Sequence, residues 1–376
     1  MSSRESKASD SKSWAEAVSR RVIMIGVSIR TSLSDRHHLE AVPAPVVRSL
    51  RSIDLAQGRL DRLSGDSPAV AAALAERSRI ESVIASNEIE GVRTSRDRAE
   101  RLVRGEVEAR SRDEFEIAGY RAALDDVYAH PLEGVSVVRL LHWHREIFRY
   151  AGPDVAGRFK RHENRVVNAD GSDRFRTVSA AATPDVVARL VDDVDAALRT
   201  DEHHPVLIAA LFTLDLLVVH PFEDGNGRTA RVASNALLLR GGYRAGAYVS
   251  IEQMLNERRS AYYEALRRST DGWHEGEHSV WPWAEFFAEV VAEAYRSLEA
   301  RLSSTSTADH RSLVMVWLRT TAPTAFPMSA ARSALAGVPE GTIRRALRDA
   351  RDAGALAMRG SGRGTEWVVV DREALR

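Results

Sequence analysis

The stretch His220-Pro221-Phe222-Glu223-Asp224-Gly225-Asn226-Gly227-Arg228-Thr229-Ala230-Arg231 decides how the rest of this 376-residue chain is read. An imidazole, a carboxylate, a glycine-rich turn and two arginines fall inside it. The turn Gly225-Asn226-Gly227 runs directly into a helical pattern from Thr229 to Arg240. Its backbone N–H groups and the positive end of that helix therefore make an anion site. Arg228 and Arg231 stand three apart, which predicts that both lie on one face of the first turn and point at the same anion. Asp224 offers a hard oxygen ligand, suited to the Mg²⁺ that accompanies a di- or triphosphate. His220, with an ordinary pKa of about 6.5, can accept a proton from an attacking hydroxyl. These residues describe a nucleotide phosphate cradle with a general base at its rim.

Both flanks of the stretch read as buried helices. Val206 to Val219 is apolar around most of its circumference and delivers His220 at its C-terminal end. After the motif, Val232, Ala233, Ala236, Leu237 and Leu238 pack a second central helix, closed by Gly241-Gly242. Two rigid helices hold catalytic groups well.

The stretch resembles the Fic family motif, histidine-proline-phenylalanine-x-Asp/Glu-Gly-Asn-Gly-Arg-x-x-Arg, at every fixed position. The resemblance implies transfer of AMP from ATP to a hydroxyl of a target protein. In it His220 takes the hydroxyl proton and Asp224 holds Mg²⁺. Asn226 with the Gly225 and Gly227 amides holds the α- and β-phosphates, and Arg228 and Arg231 neutralise the remaining phosphate charge. Thr229 and Ala230 complete the ATP-binding turn. Tyr263 lies where Fic proteins often place a tyrosine near the nucleotide, and a core aromatic is its plain alternative. Thr270 departs from the asparagine that several have near the adenine.

Upstream, Pro68 and the helical pattern from Ala69 lead to Ser86-Asn87-Glu88-Ile89-Glu90-Gly91, with Gly91 placed as a C-terminal glycine. This is similar to the family's inhibitory motif, Ser/Thr-x-x-x-Glu-Gly/Asn. The resemblance implies that Glu90, with Ser86 one turn before it, pairs with Arg231 and keeps the ATP γ-phosphate from its productive place. Carboxylate and phosphate then compete for one guanidinium. Gly157 to Ser179 alternates Val, Phe and Arg around Asp170-Gly171, a hairpin signal. Its position is similar to the Fic flap, which pairs with an extended target segment by strand addition; an ordinary surface hairpin is the alternative.

Other segments carry less chemistry. Residues 1 to about 20 are Ser- and charge-rich and read as a mobile tail, and Val22 to Ile29 as an extended arm. Val46 to Leu63, Ala118 to Tyr128, Val135 to Phe148, Ile251 to Arg268 and Trp281 to Leu298 read as helices. Arg93 to Glu108 is a charge run expected on an exposed helix face or loop. His142 and His144 are two apart and point to different sides of a helix, which argues against a shared metal. His203-His204 before Pro205 reads as a helix entry.

Acidic and basic residues balance at 53 each, so no global field points to nucleic acid or membrane. The absence of cysteine excludes disulfides and thiolate metal sites. No apolar run is long enough to span a bilayer, and the expected compartment is the cytoplasm.

Past a polar linker, Ser303 to Thr307, the pattern of helices Ser312–Thr320, Ser329–Ala336 and Thr342–Arg351 is followed by a hairpin. Its strands are Ala355–Met358 and Trp367–Val370, around Ser361-Gly362-Arg363-Gly364. This is similar to a winged helix-turn-helix domain. Its third helix carries Arg344, Arg345, Arg348 and Arg351, with Arg363 at the wing tip, a surface able to follow phosphates. Eleven Arg against seven Asp and Glu from Thr307 onward is a modest excess for a DNA binder. DNA contact and a protein-docking or dimer-forming role both stay open.

The expectation is a mainly α protein: a Fic-type helical core with a β-hairpin flap and a small C-terminal winged-helix domain. Its regions are a tail (1–20), an N-terminal helical region (21–115) carrying the inhibitory helix at about 69–91, a catalytic core (116–302) and the appendage (307–376). The expected activity is a self-inhibited protein adenylyltransferase using ATP and Mg²⁺, with an unknown target protein at the flap. Two alternatives stand beside it. One is a Fic-type transferase of another nucleotide, or a remover of AMP. The other is a DNA-binding regulator that senses ATP.

Overall fold

The computed structural model describes residues 31–34, 39, 41–63, 68–167, 173–303, 307–360 and 365–375. The expected tail, the arm at 22–29, the hairpin tip Asp170-Gly171, most of the linker and the wing tip around Arg363 lie outside these residues.

In chain order the elements are α1 (Ala44–Leu63), α2 (Pro68–Ile89), α3 (Arg96–Arg104), α4 (Arg112–Ala129), α5 (Val137–Ile147), β1 (Arg165–Val167), β2 (Asp173–Arg176), α6 (Thr183–Thr200), α7 (Pro205–Val219), α8 (Asn226–Arg240), α9 (Ile251–Glu257), α10 (Arg259–Thr270), α11 (Trp281–Ser303), α12 (Thr307–Thr320), β3 (Ala325–Pro327), α13 (Met328–Ala334), α14 (Glu340–Asp352), β4 (Leu356–Arg359) and β5 (Glu366–Val369). The protein is mainly α. Its sheets are an antiparallel β1–β2 pair and a small sheet in the order β3-β5-β4.

The chain divides into two compact units. One takes in Met1–Ala44, Arg110–Gly241 and Ser260–Phe287; the other takes in Pro45–Ala109, Gly242–Arg259 and Ala288–Arg376. In the first unit α7 is buried along almost its whole length. It starts as its sequence predicts, with the His204 ring accepting from the Val206 N–H at 3.2 Å and Pro205 in the first turn. Helices α4 and α5 approach closely because Gly119 has no side chain. A Cβ there would lie 2.3 Å from the Glu146 carbonyl oxygen.

Some elements differ from expectation. Helix α8 begins at Asn226, three residues before the predicted Thr229, because Gly225 takes φ +78 and lets the chain enter the helix directly. Helix α6 has no counterpart in the sequence reading, although Val186, Val187, Leu190, Val191 and Val194 form its buried stripe. The single helix expected from Ile251 to Arg268 breaks at Arg258, where φ −105 and ψ 29 leave the helical region.

In the second unit α2 ends on Gly91 at φ +81, with the Val92 N–H on the Asn87 carbonyl and the Gly91 N–H on Glu88. That is the glycine-closed end its sequence predicts. The charge run becomes α3, capped by Ser95 and closed by Gly105 at φ +74. Its Arg96–Glu100 pair at 3.0 Å lies on the exposed face. Three helices and a three-stranded sheet build the C-terminal core around Trp317, Phe326, Ile343, Leu347 and Trp367. Val70 and Ala73 of α2 pack against that core.

Candidate active site

The motif is a short loop between the two most buried helices of its unit. Helix α7 ends at Val219, and His220 caps it in the left-handed region, φ +51 and ψ +59. This is uncommon for a residue with a side chain and points to a site held by its surroundings. The His220 ring is held by Nδ1, 3.1 Å from the Leu217 carbonyl oxygen. A carbonyl only accepts, so Nδ1 carries the proton of the neutral ring and Nε2 is the basic nitrogen. That is the tautomer a general base needs.

The loop closes on itself through Asn226. Its Oδ1 accepts from the Phe222 N–H at 2.8 Å and its Nδ2 donates to the Phe222 carbonyl at 2.8 Å. The side chain therefore braces the loop, and Asn226 has its backbone N–H to offer an anion. The first turn of any helix leaves its N–H groups without intrahelical partners, and here that turn is Asn226, Gly227 and Arg228. Thr229, Ala230 and Arg231, which follow it, are buried. Gly225 packs so closely on Phe148 that a Cβ would lie 2.2 Å from the ring.

Asp224 is half exposed at the rim, its Oδ1 accepting from the Gly225 N–H at 2.6 Å. Arg112 stands 3.6 Å and Arg228 3.9 Å from its oxygens. One exposed carboxylate fits Mg²⁺, which takes one or two protein oxygens and completes its shell with phosphates and water. Among the described residues no group of three or more His, Cys, Asp or Glu gathers into an all-protein metal site.

Arg228, on the first turn of α8, is tied to α4. Its Nη1 donates to Glu116 of α4, with both side chains almost fully buried, and its guanidinium lies 4.9 Å from the centre of the Phe148 ring. Glu116 also accepts from the Tyr150 hydroxyl at 2.5 Å and from Arg112 at 2.8 Å. Burial pushes the Glu116 carboxyl up, but Arg228, Tyr150 and Arg112 outweigh it and hold it below the usual carboxylate range.

Residues 134–238, which contain this loop and both of its helices, match the family model described as Fic/DOC family. This segment is a Fic/DOC family domain. A protein adenylyltransferase Fic of Drosophila ananassae is 29% identical over 211 residues, covering 54% of this chain and 37% of that protein. The chain thus spans little more than a third of the length of such relatives. The crystal structure of a Fic family protein from Desulfovibrio desulfuricans G20 superposes with a TM-score of 0.57 at 19% identity, over 88% of this chain and 97% of that one. A Fic domain containing signaling protein from Bacteroides thetaiotaomicron superposes at 0.58 with 20% identity, over 67% and 97%. At such identities these two likenesses speak to the fold alone.

The remaining predicted residues are placed as follows. Ser86 is fully buried near the end of α2, whereas Glu90 is exposed in the turn that follows. The Ile89 carbonyl beside it accepts from Arg259 at 2.6 Å, and Glu88 accepts from Asn256 at 2.8 Å, so the end of α2 is fastened. Tyr263 is partly buried on α10. Its neighbour Tyr262 is the core aromatic, edge-on to Trp283 at 5.6 Å. Thr270 closes α10, its hydroxyl donating to the Arg267 carbonyl at 3.2 Å.

Sequence reading missed the outer supports of the Fic domain's loop. His144, stacked between Phe222 and Phe148, accepts from the Gly157 N–H through Nδ1 at 3.0 Å. Its Nε2 therefore carries the proton and donates to the Asp224 carbonyl at 3.1 Å. Burial, with a smaller contribution from Arg228, pulls this imidazole down to about 4, so it stays neutral as a fixed donor. Glu116, Arg112 and Tyr150 were missed as well; a Glu on a helix face has no sequence mark that separates it from solvated ones.

Proposed function

We propose that this chain is a self-inhibited protein adenylyltransferase that moves AMP from ATP to a hydroxyl side chain of a target protein. The observation that carries the reading is the contact of His220 Nδ1 with the Leu217 carbonyl, which leaves Nε2 as the basic nitrogen beside the N-terminus of α8. The target oxygen attacks the α-phosphorus, the bond to the bridging oxygen of the β-phosphate breaks, and pyrophosphate leaves. The hydroxyl proton passes to His220 Nε2. The N–H groups that open α8 neutralise charge developing on the phosphates, and Arg231 serves the γ-phosphate end. Asp224 would hold Mg²⁺, which supplies charge neutralisation for the leaving pyrophosphate. Arg228, buried against Glu116, fixes the first turn of α8 and lends its charge from there.

Inhibition follows from competition between the Glu90 carboxylate and the γ-phosphate for Arg231, which the resemblance of Ser86 to Gly91 supports. The β1–β2 pair is the surface proposed to receive an extended target segment. Its Arg165↔Arg176 and Val166↔Phe175 pairs are followed by a register shift between Val166 and Val167, and the pair offers strand edges for such addition. Intact-mass measurement of the protein with ATP and Mg²⁺ tests the reading. A Glu90→Gly variant gains the mass of AMP on itself, and one that only hydrolyses ATP or takes up another nucleotide sends belief to a different transfer or to AMP removal.

The regulator reading draws less support. On α14, Arg344 pairs with Glu340 at 2.6 Å and Arg351 with Asp352 at 2.7 Å. Among the described residues Arg345 and Arg348 remain as its exposed cations outside such pairs, and two phosphate contacts give weak, salt-sensitive binding.

A further inference from the structure

We propose that Lys160, acting with Asn164, is a positioning residue that locks the His220 turn to both stems of the flap hairpin. The inference rests on the transfer reading above and adds to it the device that holds the base in register with the target segment.

Four successive carbonyls, from Val219 to Phe222, are all gripped from this one short segment. Lys160 Nζ donates to Val219 at 3.0 Å and the Lys160 N–H to Pro221 at 2.9 Å. Asn164 Nδ2 reaches the His220 carbonyl at 3.3 Å and the Phe222 carbonyl at 2.9 Å. A left-handed non-glycine residue is strained and persists where its surroundings over-determine it. Here the over-determination is visible carbonyl by carbonyl.

Lysine is the residue the site calls for. Its ammonium carries three N–H donors, and three oxygens receive them: Val219 O, Asn164 Oδ1 at 2.8 Å and Thr177 Oγ1 at 3.0 Å. The cation also lies at the C-terminal end of α7, where the helix dipole favours positive charge. Lys160 is 3% exposed, and it is one of only three lysines in an arginine-rich chain. A planar guanidinium cannot meet three acceptors arranged around one nitrogen. Burial draws the amine down to about 8, against the smaller opposing pull of Glu163 and Glu223.

The same cluster holds the flap. Asn164 immediately precedes β1 and Thr177 immediately follows β2. The Thr177 hydroxyl donates to Asn164 as well as accepting from Lys160. One ammonium thus ties the entry strand, the exit strand and the histidine turn together. A target hydroxyl aligned by the strands meets a base whose distance from those strands is set by this clamp.

The test uses the full chain carrying Glu90→Gly. Lys160→Met is expected to lower the self-labelling rate with ATP about 10- to 100-fold, the scale of an ångström of misplacement. ATP affinity should stay within about twofold, because the cradle is untouched. Thr177→Val, which frees one stem only, should lose less rate. A second readout needs no transfer: in protein with isotope-labelled histidine, Lys160→Met shifts the His220 ring resonances and leaves those of His130 in place. Unchanged His220 resonances in a folded variant overturn the proposal, as does an unchanged rate. If Lys160→Met does not fold, Thr177→Val carries both readouts on the same terms. A parent without transfer, but with His220 resonances moved by Lys160→Met, would sink the transfer reading and leave the clamp standing.

Discussion

The two halves of the motif loop are held in opposite ways. From Asp224 to Asn226 the tightest bonds are made within a few residues: Asn226 closes on Phe222 and Gly225 on Asp224, with His144 on the Asp224 carbonyl as an outer support. From Val219 to Phe222 the carbonyls face donors about sixty residues upstream, on Lys160 and Asn164. The glycine turn that we propose as the anion cradle is therefore closed mainly by its own residues. The base is a tertiary structure, correct only when the flap is folded beside it. Arg228 is the exception that sharpens the contrast, since it belongs to the cradle by sequence and to α4 by packing.

Breaking that exception should give the largest effect on stability. Glu116→Ala leaves the buried Arg228 guanidinium without its carboxylate, and the expected loss is about 3–5 kcal/mol, read as a fall in the urea midpoint. Nucleotide affinity should fall with it, because the first turn of α8 loses its anchor. Gly225→Ala attacks the cradle alone. It combines a strained φ with a clash on Phe148, and the expected cost is about 2–4 kcal/mol, with weakened ATP binding seen by calorimetry. A Gly225→Ala protein as stable as its parent would show that the loop is more adaptable than its geometry suggests.

A smaller effect probes α7 from behind the base. Asp215, fully buried on that helix, accepts from the Ser32 N–H at 2.7 Å, the Ser32 hydroxyl at 2.6 Å and Trp273 at 3.2 Å. Burial outweighs these bonds and pushes its carboxyl up to about 6. Because the folded value lies above the unfolded one, its favourable contribution is complete below about pH 4 and fades as pH rises through 6. The wild type should lose on the order of 2 kcal/mol across that window relative to Asp215→Asn, measured by denaturation at the two ends. Parallel curves for the two proteins would mean that Asp215 does not titrate there.

How much of this the sequence discloses follows the same division. The helices around the motif, the glycine turn between them and the end of α2 at Gly91 are legible because each is written in neighbouring residues. The start of α8 was misjudged by three residues because Gly225 and Gly227 read as a turn, whereas Gly225 in the left-handed region opens the helix itself. The pairing of Arg228 was illegible, since a three-residue spacing with Arg231 says nothing of a glutamate 112 positions away. Lys160 is one of three lysines in the sequence, a scarcity that assigns it no role, and only the folded hairpin brings Asn164, Thr177 and Val219 around it. Helix α6 was legible in its valine and leucine stripe and was passed over.

The measurement that bears most directly on the central claim is Mg²⁺-dependent label transfer from α-phosphate-labelled ATP, with wild type, Glu90→Gly and Glu90→Gly/His220→Ala compared alone and in lysate. The account predicts protein-bound label in Glu90→Gly, little in the wild type, and a loss of roughly 10²- to 10⁴-fold when His220 is removed, with ATP binding retained. Equal labelling in the presence and absence of His220 would contradict it.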